Sequence, residues 1–351
     1  MRARRWLPLL LALVAVAAAG CGGDDDNEGA ATTAETQAES VKAGLVSDVG
    51  RFNDKSFNQS ALEGLNRAKD ELGAETRAVE SRAAGDYVPN LSSLARQNYD
   101  VTIGVGFLLA DAVNSVARKF PDDNFAIIDY SVKAPPFTDA EKNVATPTNV
   151  QGLTFATNEN SYLIGCMAAM MAKKQGGQQV ISAVGGLNIP TVTIFIAGYQ
   201  DGAKACNPGI KVLVGFSQDF NAQDKCKELA LNQISQGSQV VFQVAGGCGL
   251  GALDAAKEKG KWGVGVDRDQ SDLGPHILTS AVKRVDTSVF DTVKAVQEGS
   301  FQGGTDALFN LENEGVALGK TSDKVTQDIL DKVDELKQQI IDGQIKPKST
   351  L

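Results

Sequence analysis

The chain has 351 residues, which suggests two domains of ordinary size, and its 42% hydrophobic and 22% charged content is that of a globular protein. A formal net charge of −9 excludes the basic face that a nucleic-acid partner requires. His276 is the only histidine and has no cysteine in ligand spacing, so neither a zinc site nor a histidine-based triad can be assembled.

The first forty residues read as targeting and tether. Arg2, Arg4 and Arg5 precede an apolar run at 6–19, shorter than the roughly 20 residues that span a bilayer. The leader ends A-A-A-G-C, so 1–20 is expected to be a lipoprotein signal peptide and Cys21 the lipidated residue. Ala18 stands where leucine is more usual, and plain secretory cleavage after Ala19 is the alternative. Residues 21–40 continue as a flexible linker rich in Gly, Asp, Glu and Thr, with an end-to-end distance of about 24 Å as a coil.

From Val41 short apolar runs alternate with amphipathic stretches. Strands are expected at 41–46, 76–79, 101–105 and 125–129, an alternation that predicts a parallel sheet covered by helices. A polar loop with prolines, 134–148, precedes a second series with strands at 180–184, 211–214, 240–244 and 262–266 and helices at 161–173 and 224–234. A strand (277–282), a helix (288–297), a strand (307–311) and a long amphipathic helix (322–341) complete the chain. Two α/β halves in tandem predict a hinged pair with a cleft between them.

The first strand leads into D-V-G-R-F-N-D-K-S-F-N-Q, residues 48–59, and then into a helical pattern at Ala61, Leu62, Leu65 and Ala68. Such turns lie at the carboxyl ends of parallel strands, where ligands bind and helix N–H groups are unpaired. Asp48 and Asp54 offer acceptors, and Asn53 and Asn58 offer donors and acceptors; capping of the helix by Asp54 or Ser56 is the plain alternative. Phe52 and Phe57 are large apolar rings in a polar loop, one expected to pack inward and the other, Phe57, to face a planar ligand.

In the second half, Gly247, Gly249 and Ala252 fit G-x-G-x-x-A after a strand, and Asp267 ends the next strand, the layout of a dinucleotide fingerprint. That glycine pattern is common, and an exported chain would have to hold a cytosolic cofactor outside the cell, so no cofactor is expected. Asp267 can instead accept two hydrogen bonds from a ribose diol, with Lys283 donating to the same sugar. A turn cap and a solvated surface charge are their plain alternatives. Asp129 ends F-A-I-I-D, where it can accept from a purine ring N–H or simply cap a turn. Phe195 is either a second aromatic contact or core beside Tyr199 and Ala203. The acidic run 267–272 carries Asp272 where a calcium loop needs glycine, so no metal is expected. Cys166, Cys206, Cys226 and Cys248 permit three full pairings, and Cys206 with Cys226, at the ends of successive helical patterns, is the expected bond.

The run at 48–59, G-F-L-L-A-D-A (106–112), F-A-I-I-D (125–129), Y-L-I-G-C-M-A-A (162–169), A-G-G-C-G-L-G (245–251) and G-V-D-R-D-Q (265–270) together resemble the basic membrane protein family, lipoproteins that bind purine nucleosides for ABC transporters. The resemblance covers nearly the whole chain after Val41. It implies a periplasmic-binding-protein-like (type I) α/β fold in two lobes, lobe I at 41–150 with about 284–307 and lobe II at 151–283 with about 308–351. It further implies a site of Asp48, Asn53, Asp54, Phe57, Phe107, Asp129, Phe195, Gly246, Asp267 and Lys283 that binds inosine, guanosine or adenosine without chemistry. The implied partners are ABC permease subunits, and the implied place is the extracytoplasmic side of a cell membrane, held by lipid alone. A surface-tethered nucleoside or sugar sensor is the alternative function, and an NAD-dependent enzyme a more distant one.

Overall fold

The computed structural model describes residues 40–351, so the leader, Cys21 and most of the linker lie outside the described residues. The first series of elements is β1 (Lys42–Ser47), α1 (Phe57–Leu72), β2 (Glu75–Val79), α2 (Tyr87–Ala95), β3 (Val101–Val105), α3 (Ala110–Ala117), β4 (Asn124–Ile128) and β5 (Val150–Phe155). The second is α4 (Thr157–Gln175), β6 (Val180–Gly185), α5 (Pro190–Cys206), β7 (Lys211–Phe216), α6 (Gln223–Ser235), β8 (Val240–Val244), α7 (Gly249–Glu258), β9 (Trp262–Asp267) and β10 (Ile277–Lys283). They are followed by α8 (Val285–Gln297), β11 (Asp306–Phe309), β12 (Val316–Leu318) and α9 (Gln327–Ile341).

Two six-stranded sheets result, in the orders β11-β5-β4-β3-β1-β2 and β12-β10-β9-β8-β6-β7. Lobe I is parallel throughout, whereas in lobe II β12 runs antiparallel to β10. Strands β3, β6 and β8 are buried at every position, which is why they read as near-continuous apolar runs, interrupted only by Thr102, Ser182 and Gln243: helices cover both faces. Helices α4 and α5 lie so close that a Cβ on Gly202 would come within 1.9 Å of the Tyr162 carbonyl.

The structure moves several boundaries. β5 extends lobe I to Phe155, beyond the expected 150; Gln151 and Gly152 interrupt its apolar pattern, and Gly152 leaves room for Asp306 of β11. The chain crosses to lobe II after β5, returns after β10 so that α8 packs on α1, and crosses again after β11. The last helix begins at Gln327 rather than 322, because the Ser322 amide donates to Leu278 O and the segment before Thr326 runs along lobe II as loop.

The disulfides also correct the expected pairing. Cys166 bonds Cys206 and Cys226 bonds Cys248, with Cα atoms 5.2 and 5.6 Å apart. Cys206 cannot reach Cys226 because β7 lies on one side of β6 and β8 on the other. Right-handed crossovers in opposite directions then place α5 and α6 on opposite faces of the sheet. Cys166 and Cys206 accordingly pack in the core between the α4–α5 layer and the sheet, and Cys226 and Cys248 in a separate cluster with Ala252 and Ala255.

Candidate functional site

The carboxyl ends of both sets of parallel strands point into one cleft. Lobe I lines it with Asp48, Asp54, Phe57, Asn58, Phe107 and Asp129, and lobe II with Phe195, Phe220, Gly246, Asp267 and Lys283. Of the ten expected residues only Asn53 is off the wall: it is exposed, and Asn58, the second residue of α1, takes its place.

The turn before α1 shows why. Lys55 adopts a left-handed conformation (φ +55°), so the chain doubles back and Asp54 sits beneath the helix end. Asp54 Oδ1 accepts from the amides of Ser56 (2.9 Å) and Gln59 (3.1 Å), and Oδ2 accepts from the amide of Asn58 (3.0 Å). Its carboxylate is a cap that also lines the cavity, and both readings of the motif meet in it. Phe52 packs into the core, while Phe57 turns to the cleft.

Asp48 ends β1. Its Oδ1 accepts from the Gly50 amide at 2.9 Å, and burial pushes its carboxyl up to about 6 against the pull of that bond. Asn58 Oδ1, also buried at the cavity, has no hydrogen-bond partner. Asp129 follows β4 and Asp267 ends the equivalent strand β9, and both are left-handed, with φ of +67° and +64°. Asp129 is joined across the lobes to Lys283 at 2.5 Å. Lys283 is only 2% exposed and lies 4.7, 4.9 and 5.8 Å from the ring centroids of Phe57, Phe155 and Phe195, so it is no solvated surface charge. Asp267 Oδ2 accepts from the Ser56 hydroxyl of lobe I at 2.5 Å; burial pushes it up to about 6 although Lys283 and that bond favour its ionised form.

Further bonds hold the lobes together outside the cavity. Arg268 pairs with Glu63 at 2.8 Å, and the buried Gln270 donates to Lys55 O at 3.1 Å. Phe195 lines the cavity yet is 2% exposed and packs edge-on against Phe242, so it serves the core as well. Phe220, which the sequence reading passed over, follows β7 in S-Q-D-F-N, a ring in a polar turn at a strand's carboxyl end. That is the same signal that singled out Phe57. The fingerprint-like turn after β8 is spent on this ring's backbone: the Cys248 amide, where a pyrophosphate would need a free donor, donates to Phe220 O at 2.8 Å.

Comparison with known proteins agrees with this geometry. Residues 41–350 match the family described as ABC transporter substrate-binding protein PnrA-like. The chain is 36% identical to the ABC transporter nucleoside-binding protein BmpA of Lactococcus lactis, over 96% of each chain. It is 32% identical to an uncharacterized lipoprotein of Pyrococcus horikoshii, over 99% of this chain and 87% of that one. Among solved structures, an ABC transporter solute-binding protein from Aeropyrum pernix superposes with a TM-score of 0.78 at 26% identity, covering 87% of this chain and 92% of that one. The family match along the whole body and the two-lobed α/β fold with its shared cleft lead to one conclusion: the chain belongs to the PnrA-like family of ABC transporter substrate-binding proteins.

Proposed function

We propose that this chain captures a purine nucleoside in the cleft and presents it to the permease of an ABC transporter, and that a lipid on Cys21 holds it at the extracytoplasmic face of a membrane. One observation carries the ligand reading: a single cavity combines aromatic rings from both lobes, Phe57 and Phe220, with a surplus of acceptors. Asp48 Oδ2, Asn58 Oδ1 and Asp267 Oδ1 remain for a ligand, whereas the one lysine on the wall is already neutralised by Asp129. A matching ligand is planar in one part, rich in N–H and O–H donors, and not anionic. A nucleoside meets all three conditions; a free base leaves the Asp267 carboxylate unmatched, and ribose leaves the rings unmatched. The names of the Lactococcus and Pyrococcus relatives support the nucleoside and the lipid respectively.

Calorimetric titration with inosine, guanosine, hypoxanthine, ribose and inosine monophosphate tests the ligand. Inosine and guanosine are expected to bind far more tightly than either fragment or the monophosphate, and ribose binding as tightly as inosine overturns the reading. For the anchor, Cys21→Ser is expected to move the protein from the detergent phase to the aqueous phase, since stable attachment needs acyl chains that only the cysteine can carry.

A further inference from the structure

Phe220 stands in a short turn whose position depends on its surroundings. At its start, the amides of Ser217 and Gln218 donate to Gly185 O and Gly186 O at the end of β6. The ring then lies over Gly186, where a Cβ would approach it to 2.4 Å. On the far side, the Phe220 carbonyl accepts from the Cys248 amide, and Cys248 is bonded to Cys226 in the first turn of α6, six residues after the ring. Both cysteines are fully buried, and neither lines the cavity. The bond therefore staples together two wall segments of the site, the turn carrying Phe220 and the turn carrying Gly246 and Gly247.

We propose that the Cys226–Cys248 bond is a positioning device of the binding site: it holds the Phe220 ring against the cavity and so sets the affinity for the base. This rests on the nucleoside reading above. The other bond, Cys166–Cys206, lies away from the cavity, joins two helices already in close contact, and serves as an internal control.

Inosine affinity of Cys226→Ser/Cys248→Ser is expected to fall about five- to tenfold, part of what a stacked ring supplies. Cys166→Ser/Cys206→Ser should change it less than about twofold, an effect within ordinary additivity for distant sites. In a Phe220→Ala background, removing Cys226 and Cys248 should cost nothing further, because the bond acts through the ring. Unchanged affinity without the Cys226–Cys248 bond, or losses that simply add, overturns the proposal.

Linkage supplies a second measurement on the unaltered chain, useful should the variant fail to fold. Dithiothreitol reduces a protein disulfide to two thiols while its own two thiols close into a ring disulfide, so electrons and protons balance. Saturating inosine must shift that equilibrium at Cys226–Cys248 toward the disulfide by the same five- to tenfold, about the ratio of the two affinities, and leave Cys166–Cys206 unmoved. An equal shift at both bonds, or at neither, overturns the positioning role. Failure of the unaltered protein to bind inosine is a different result, which removes the nucleoside reading and the proposal with it.

Discussion

Lobe I closes its sheet with the parallel edge strand β11 and lobe II with the antiparallel β12, yet equivalent strands, β4 and β9, each deliver a left-handed aspartate to the cleft. The two aspartates are then used in opposite ways. Asp129 is bound to Lys283 of the other lobe, while Asp267 takes only a hydroxyl from Ser56 of the other lobe, on Oδ2. A shared backbone slot thus forms a charged lobe-to-lobe tie in one half and, in the other, a lighter hydroxyl tie beside an oxygen that we propose accepts from the ligand, and chemistry at the same position is decided by what the opposite lobe presents.

The sharpest way to break this comparison is to remove each carboxylate in turn. Asp129→Ala leaves Lys283 charged and buried among three rings, which should cost about 3–5 kcal/mol of unfolding free energy, read by denaturant titration without ligand. Asp267→Ala removes a carboxylate whose ionisation burial already opposes, so its main effect should appear in binding: inosine weakens about 10- to 150-fold, the equivalent of the ~1.5–3 kcal/mol carried by hydrogen bonds to a charged group. Equal losses of stability and of affinity in both variants would erase the distinction between tie and acceptor.

Acidity gives a smaller effect that both lobes share. Asp48 of lobe I and Asp267 of lobe II are each pushed up to about 6, so the folded protein takes up protons more readily than the unfolded chain. Their contribution to the stability of the empty protein is present below the unfolded carboxyl pKa of about 4 and is lost as pH rises through about 6. The proposed nucleoside binding runs the other way, because its acceptors must be ionised. Affinity for inosine should fall on going from pH 7 to pH 5, approaching about tenfold per unit for each carboxylate below pH 6. Titrations of Asp48→Asn against the unaltered chain should remove lobe I's share of that slope, and an unaltered slope would confine the effect to lobe II.

The alternation of strands and helices was legible because parallel strands covered on both faces are mostly apolar, and β1, β3, β8 and β9, buried at every position but the first of β1 and β9, follow that rule with one or two polar residues each. β5 was not legible, since Gln151 and Gly152 break its apolar pattern and one of its two partner strands, β11, comes much later in the chain. In the site, a carboxylate at a strand end could be read directly, as for Asp48, Asp129 and Asp267. The choice between Asn53 and Asn58 could not, because it depends on the left-handed turn at Lys55, a backbone property that lysine does not advertise. The disulfide partners depended on strand order, which places β8 beside β6 and so decides which helices share a face.

The three crossings between lobes also bear on how the molecule comes into being. Thr154 and Ala307, hydrogen-bonded neighbours across β5 and β11, stand 153 positions apart, so lobe I lacks its edge until most of lobe II exists. Lobe II in turn waits for β12, which follows that edge. Closing so long a loop costs about (3/2)RT ln n, only ~1–2 kcal/mol more than joining neighbouring strands, but it must be met before the contacts return it. A growing chain therefore carries the raw border of β5 through nearly half its length, and neither half of the clamp is a module that can be lent to another protein by cutting once.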